Sequence, residues 1–245
     1  MIRSTDIRAA LRSRQRGFLL NPFRFGGGGG GGSDPDRASR LLVMHLNGNA
    51  TDSGPLGMSS TVAGEATSNL QWRTADPKFG SGYAYVSEGG NITISNAQGA
   101  SALNVGTGVF TVSMWVRPAG AGNEKTIIAK GVNDGNGFLI MLGTGGCIFR
   151  SNGTSDLSYS GSISSSVWTY AKFVRHSGGR KIFLNGTEVA SDSTAPNITT
   201  TAGLEIGNCP SFGASFRYGG EFDELIISAL ADTSTAVPTS QLADA

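Results

Sequence analysis

VWTYAKFVRHSGGRKIFLNGTEVAS, residues 167–191, is two β-hairpins written in one line. The run WTYAKFVRH is rich in aromatic and β-branched residues, which suit a pleated, half-buried surface. Ser177-Gly178-Gly179 breaks it, and RKIFLNGTEVAS follows. Within the second run, Asn185-Gly186 is the pair expected of a two-residue type I′ turn, because both central positions need positive φ.

Runs of the same kind extend in both directions. LLVMHL (from Leu41), YAYVS, NITIS, VFTVSMWVRP, TIIAKG, GFLIML and CIFRS come before, and LEIGN and EFDELIIS after. Ser-Glu-Gly-Gly, Asn-Asp-Gly-Asn-Gly and Gly-Thr-Gly-Gly punctuate them as turns. Helix signal is nearly absent between residues 41 and 230. Composition agrees: the 245 residues include 37 Gly, and 15% are charged, against about 25% in an average globular protein. The pattern predicts an all-β sandwich of about ten or more strands, with jelly-roll topology.

The first 25 residues read differently. Arg3, Arg8, Arg12, Arg14, Arg16 and Arg24 face one acid, Asp6, although the whole chain carries only +1. The body is therefore net acidic, and the arm calls for a negatively charged partner of its own. Thr5 as N-cap and Gly17 as stop predict a short helix over 5–16. Phe18, Leu19, Leu20, Phe23 and Phe25 then form an apolar cluster of the kind that marks a contact site. Gly17-Phe18-Leu19-Leu20 is too short for a signal-peptide core, and an Arg-rich mitochondrial presequence is the look-alike set aside. Seven glycines, Gly26–Gly32, span at most about 25 Å. The expected organisation is an anchoring arm (1–25), a Gly-rich linker (26–40), a β-sandwich (41–230) and a polar C-terminal tail (231–245), loose or bound to a partner. Cys147 and Cys209, without a CxxC pair, are expected as buried free thiols, with a single disulfide as the alternative.

Four stretches, in order, resemble the concanavalin A-like lectin/glucanase superfamily in its laminin-G-like jelly-roll branch. They are PKFGSGYAYVSEGGNITI (77–94), VFTVSMWVRP (109–118), the opening stretch, and LEIGN with GGEFDELIIS (204–228). Glucanases of that superfamily place Glu-x-Asp-x-Glu on one strand, so that alternation aims the acid, its helper and the nucleophile into a cleft. Here the spacing is Glu221-Phe222-Asp223-Glu224. Alternation puts Glu221 and Asp223 on one face and Glu224 on the other, so no catalytic pair is expected. His45 and His176 are too few for a histidine metal cluster.

The resemblance also implies calcium held by loop oxygens. Asn49 and Asp52 (with Ser53) and Asp134 are the candidate ligands, and Asx turns use the same residues merely to fold back. Trp72, Tyr159, Phe212, Phe216 and Tyr218 sit in Ser/Gly/Asn-rich surroundings and are candidate platforms for a glycan. Trp115, on the opposite parity to Val112 and Met114, is expected to pack between the sheets, with the concave face as the alternative. Trp168 is expected to plug the sandwich end, with sugar binding as the alternative.

A laminin-G-like domain on a short basic arm looks like the structural proteins of tailed bacteriophages. That likeness implies a non-enzymatic virion component, as capsid decoration or in a tail or fibre. The arm would dock onto other virion proteins, a homo-oligomer would form in the assembly, and the sandwich would bind host-surface glycans. The alternatives are a carbohydrate-active enzyme or its binding module, and nucleic-acid binding by the arm. The last fits poorly, because the aromatics cluster instead of interleaving with the arginines.

Overall fold

The computed structural model describes residues 36–243, apart from residues 68, 88, 120–124, 132–135, 152–154, 208 and 210–215. The arm, its 5–16 helix, most of the linker, Asp134 and Phe212 lie outside the described residues.

Among the described residues, fifteen strands, numbered here in chain order, form two antiparallel sheets. Across the first sheet run β13 (Thr187–Asp192), β12 (Gly179–Leu184), β11 (Thr169–His176), β6 (Phe110–Pro118), β15 (Gly220–Ser228), β4 (Tyr83–Val86) and β3 (Leu70–Arg73). An eighth strand, β1 (Arg40–Met44), pairs with β15. The second sheet runs β10 (Ser155–Tyr159), β9 (Gly146–Ser151), β8 (Phe138–Gly143), β7 (Lys125–Lys130), β14 (Leu204–Gly207), β5 (Asn91–Ile94) and β2 (Thr61–Ala63). The opening stretch supplies β11, β12 and β13. Its Asn185 and Gly186 have φ of 48° and 80°, as the type I′ turn requires.

Alternation sorts the side chains of the first sheet. Phe110, Val112, Met114 and Val116 of β6, and Ala171 and Phe173 of β11, face the second sheet. Ile128, Ile140, Leu142, Phe149 and Ile206 meet them from the other side. Phe110 packs on Phe138 and Phe149, with ring centroids 5.2 and 6.0 Å apart, and Phe149 packs on Phe173 at 6.1 Å. Trp115 corrects its expectation. It is 4% exposed, but its parity turns it to the opposite face, away from the inter-sheet core. Both cysteines are buried free thiols.

Two lysine and arginine contacts fasten this body. Arg180 of β12, fully buried, reaches across to the second sheet. Its guanidinium donates to Phe149 O (2.9 Å), Ser151 Oγ (2.8 Å) and Ser155 O (3.0 Å), and pairs with Asp192 of β13 at 2.5 Å. Burial works to raise the Asp192 carboxyl, but the Arg180 hydrogen bonds and charge outweigh it and hold it below the usual range.

The second contact involves the segment that follows β15. Leu230 to Ser234 lies strapped over the outer face of the first sheet. Thr111 Oγ1 donates to Leu230 O (2.6 Å) and accepts from Asp232 N (3.0 Å). Lys172, fully buried, donates to Asp232 Oδ2 (2.9 Å) and Ser234 O (2.7 Å).

Removing one partner of a buried pair leaves its partners unsatisfied. Arg180→Met should therefore lose about 3–5 kcal/mol of unfolding free energy in urea titrations. Asp192→Asn should lose less, since the Asp192 side chain is 26% exposed.

Candidate functional site

The site grows from a fault in β15. Gly220 to Phe222 pairs with β4, whereas Leu225 to Ser228 pairs with β1. Where the strand changes neighbours its register with β6 slips, between Asp223 and Ile226, and Glu224 takes a φ of 50°. Such a bulge ends simple alternation. Glu224 consequently does not just turn away, as the spacing predicts. Its carboxylate accepts from His45 Nδ1 at 2.9 Å in a buried pair.

Asp223, fully buried, uses the same fault to hold a loop. Its Oδ2 accepts from the backbone N–H groups of Lys78 (3.1 Å) and Phe79 (3.2 Å), and its Oδ1 from that of Glu224 (2.9 Å). The 74–82 loop is thereby laid over the outer face of the first sheet. The Phe79 ring meets Trp115 edge-on at 5.9 Å, and the Lys78 ammonium lies 3.7 Å from the Trp115 ring centroid.

Beside this loop the outer face opens into a corner of cations and rings. Glu221 sits at its centre. Its Oε2 accepts from Arg117 Nε at 2.6 Å, and its Oε1 from Tyr83 Oη at 3.1 Å and Arg73 Nη1 at 3.4 Å. Arg117 also pairs with Asp76 at 2.6 Å and stands 4.3 Å from the Trp168 ring centroid. Arg73 lies 3.5 Å over the ring of Tyr85. Trp168 donates from Nε1 to Asp76 O at 3.1 Å and packs edge-on against Tyr83 at 5.4 Å. It is thus a rim residue of this corner.

Titration shifts follow these contacts. Burial, then the nearby Glu221 charge, raises the Tyr83 hydroxyl and keeps it a donor. Burial acts to lower Arg117, but its bonds to Asp76 and Glu221 prevail and raise it. The corner offers ring faces and hydrogen-bond donors, while both oxygens of its central carboxylate are occupied.

Among the described residues, the aromatics singled out from sequence do not come together. Trp72 and Tyr159 are half-buried against the core, on strands that close different sheets, β3 and β10. Trp72 Nε1 also donates to Glu65. Tyr218 is 1% exposed and donates to Glu221 O at 3.2 Å, so its ring belongs to the core and presents no platform. Phe216 is 43% exposed, beside Arg217, which bridges to Thr126 of β7.

The two calcium candidates within the described residues, Asn49 and Asp52, are engaged by backbone N–H groups. Asp52 Oδ1 accepts from Val43 N (2.9 Å) and Gly54 N (2.8 Å), and its Oδ2 from Met58 N (2.7 Å). Asn49 Oδ1 closes an Asx turn onto Thr51 N at 2.9 Å. These contacts fold the loop after β1. Among the described residues no group of three or more His, Cys, Asp or Glu could hold a metal ion.

Arg73, Asp76, Lys78, Tyr85 and Arg117 escaped the sequence reading as site residues. Lys78 and Arg117 did lie inside the motifs that carried the resemblance, Lys-Phe-Gly and Trp-x-Arg-Pro. Their convergence on Glu221-Phe222-Asp223 was the missing step, because it depends on pairing distant strands.

A family model described as the concanavalin A-like lectin/glucanases superfamily matches residues 87–237. No curated protein sequence matches the chain. Among solved structures, the binding domain of Paraclostridial Mosquitocidal Protein 1 superposes with a TM-score of 0.62 at 16% identity, over 80% of this chain and 50% of that one. The receptor binding domain of a botulinum neurotoxin C/D mosaic serotype gives 0.59 at 14%, over 80% and 49%. The chain thus spans about half the length of these toxin domains. Domain 4 of AbnA, a GH43 extracellular arabinanase from Geobacillus stearothermophilus solved with arabinotriose, gives 0.55 at 19%, over 79% and 93%.

One consequence of the buried hinge is a pH dependence. Burial foremost, assisted by the Glu224 charge, outweighs the three backbone donors and raises the Asp223 carboxyl from 3.8 to about 7. The folded state then holds a proton that the unfolded state has released, so this group's stabilisation fades as pH rises from about 4 to about 7. Asp223→Asn should remove that component. Urea midpoints across this range should fall less steeply for the variant than for the parent chain.

Proposed function

The chain belongs to the concanavalin A-like lectin/glucanases superfamily, and on that premise we propose that it is a non-enzymatic, glycan-binding module carried into a larger assembly by its N-terminal arm. The observation that carries the reading is the state of Glu221. The strand that bears the catalytic carboxylates in glucanases here places its outward Glu between Arg73, Arg117 and Tyr83. Asp223 is turned into a loop anchor. What remains at the surface is Trp168 and Tyr85 among polar groups, which suits a sugar, whose ring packs on an aromatic face while its hydroxyls exchange hydrogen bonds. The lectin-like fold, shared with toxin binding domains and an arabinanase domain solved with arabinotriose, supports binding over turnover.

Six arginines within residues 1–25, with the five large apolar residues of 18–25, support the second half of the proposal. Guanidinium groups pair with carboxylates in two-point fashion and stack on aromatics, which suits docking onto a protein surface. The assembly proposed is a phage virion, where the sandwich would be displayed within about 25 Å of its anchor, the reach of seven glycines.

Glycan arrays followed by calorimetry test the first half. Trp168→Ala should weaken binding by about tenfold or more, the loss of a favourable ring contact, with the melting temperature little changed. Phe216→Ala, outside the corner, should bind like the parent. Release of free sugar by the parent chain, abolished in Glu221→Gln, would establish the hydrolase alternative instead. For the second half, deleting residues 1–25 should leave glycan binding intact and abolish incorporation into particles. Normal incorporation of the truncated chain would refute the anchor.

A further inference from the structure

The corner has more donors than acceptors. Arg117 is engaged on both sides, by Glu221 and Asp76. Arg73 is not matched in the same way. Its Nε and Nη2 reach only the neutral Gln71 Oε1, at 3.2 and 3.1 Å, its bond to Glu221 is a long 3.4 Å, and its side chain is 36% exposed. Lys78 is more extreme. Its backbone is pinned by Asp223, yet among the described residues its ammonium meets only rings, Trp115 at 3.7 Å and Phe79 at 5.3 Å. An aromatic face attracts an ammonium but accepts no conventional hydrogen bond from it. The buried Trp115 Nε1–H has no acceptor among the described residues either. Among the described residues, an ammonium without a carboxylate and an indole N–H without an acceptor thus belong to one contact.

Charge points the same way. Three cations, Arg73, Lys78 and Arg117, stand against two surface carboxylates, Glu221 and Asp76, and Arg117 holds both of those. Asp223 lies fully buried below, facing backbone N–H groups.

We infer that the glycan taken at this corner is anionic, a saccharide bearing a carboxylate or a sulfate, with Lys78 its principal donor and Arg73 beside it. The inference rests on the reading that the corner binds a glycan. An acidic group supplies the acceptor that Lys78 lacks, in a charge-assisted hydrogen bond stronger than a neutral one. Lys78 reaches for it from a backbone already fixed by Asp223, so little ordering of the loop accompanies binding.

Matched saccharide pairs presented to the full chain decide it. Oligogalacturonate is compared with its methyl ester, which keeps the sugar and removes the charge. Chondroitin sulfate oligosaccharide is compared with its desulfated form, so that the two arms separate carboxylate from sulfate. In at least one pair the acidic member should bind roughly tenfold tighter, the scale of a charge-assisted contact. Added salt should weaken that member selectively. Lys78→Gln should cut the preference to about twofold or less, with circular dichroism and melting temperature unchanged; Arg73→Gln should reduce it in part. Equal binding of acidic and neutral members overturns the inference and leaves the glycan reading standing. An acidic preference that survives in Lys78→Gln overturns the assignment to this corner. Binding to no saccharide, acidic or neutral, on an array that includes these pairs overturns both.

Discussion

Asp223 is the constraint on which the outer face depends. A strand in the middle of a sheet normally keeps one neighbour on each side. Here β15 must serve β4 with its first half and β1 with its second, and the handover leaves backbone groups out of register. A buried carboxylate with two oxygens facing three unpaired N–H groups resolves that mismatch locally. Burying it is unfavourable for the anion, and its raised titration range records the strain. In return the 74–82 loop is fixed, and with it Asp76, Lys78 and Phe79. The binding corner is thus assembled by a group that takes no contact with solvent.

Elsewhere the molecule manages burial by pairing cations across chain segments that are remote in sequence. Arg180 connects the two sheets, and Lys172 holds the final segment to the face of β11. A planar guanidinium with several donors can satisfy carbonyls of two sheets at once, which an ammonium cannot do. A single ammonium suffices for the tail, where one carboxylate and one carbonyl converge. Neither pair adds much hydrophobic area. Their effect is to specify which surfaces may meet, because any other packing would leave a buried charge without its partner.

Much of the fold was readable because strand sequences carry local signals. Asn185-Gly186 demanded its turn, and the alternation through Phe110, Val112, Met114 and Val116 marked the core face whichever strands lay beside it. What alternation could not tell was whether the other face was covered. Trp115 therefore read as core, when its cover is a loop some forty residues earlier in the chain. Tyr218 read as exposed because small polar residues surround it, and its burial comes from packing that composition does not encode. Asp52 and Asn49 read equally as metal ligands or turn formers, since the oxygens are the same and only their partners differ. Arg73 carried no signal of its own, and Arg117 only its place in Trp-x-Arg-Pro. An arginine on a strand is ordinary until the register with β15 brings Glu221 between two of them.

The covering of the first sheet also explains where recognition can occur. Tyr83, Trp115, Tyr170, Lys172, Phe183 and Asp223 all face outward by register, and every one of them is buried. Among the described residues, the 74–82 loop and the C-terminal strap cover this face. Where the loop ends, at Tyr85, Arg73 and Trp168, side chains from β3, β4, β6 and β15 meet. On the proposed reading, this rim is where a glycan makes contact. It also holds its rings in edge contacts and under guanidinium groups, so little side-chain freedom remains to be lost when a ligand arrives. A small, preorganised, cation-rich contact gives modest affinity at each site, and modest affinities become useful when many copies act together. If the arm anchors the chain as proposed, repetition on an assembly would supply the multiplicity that a single corner lacks.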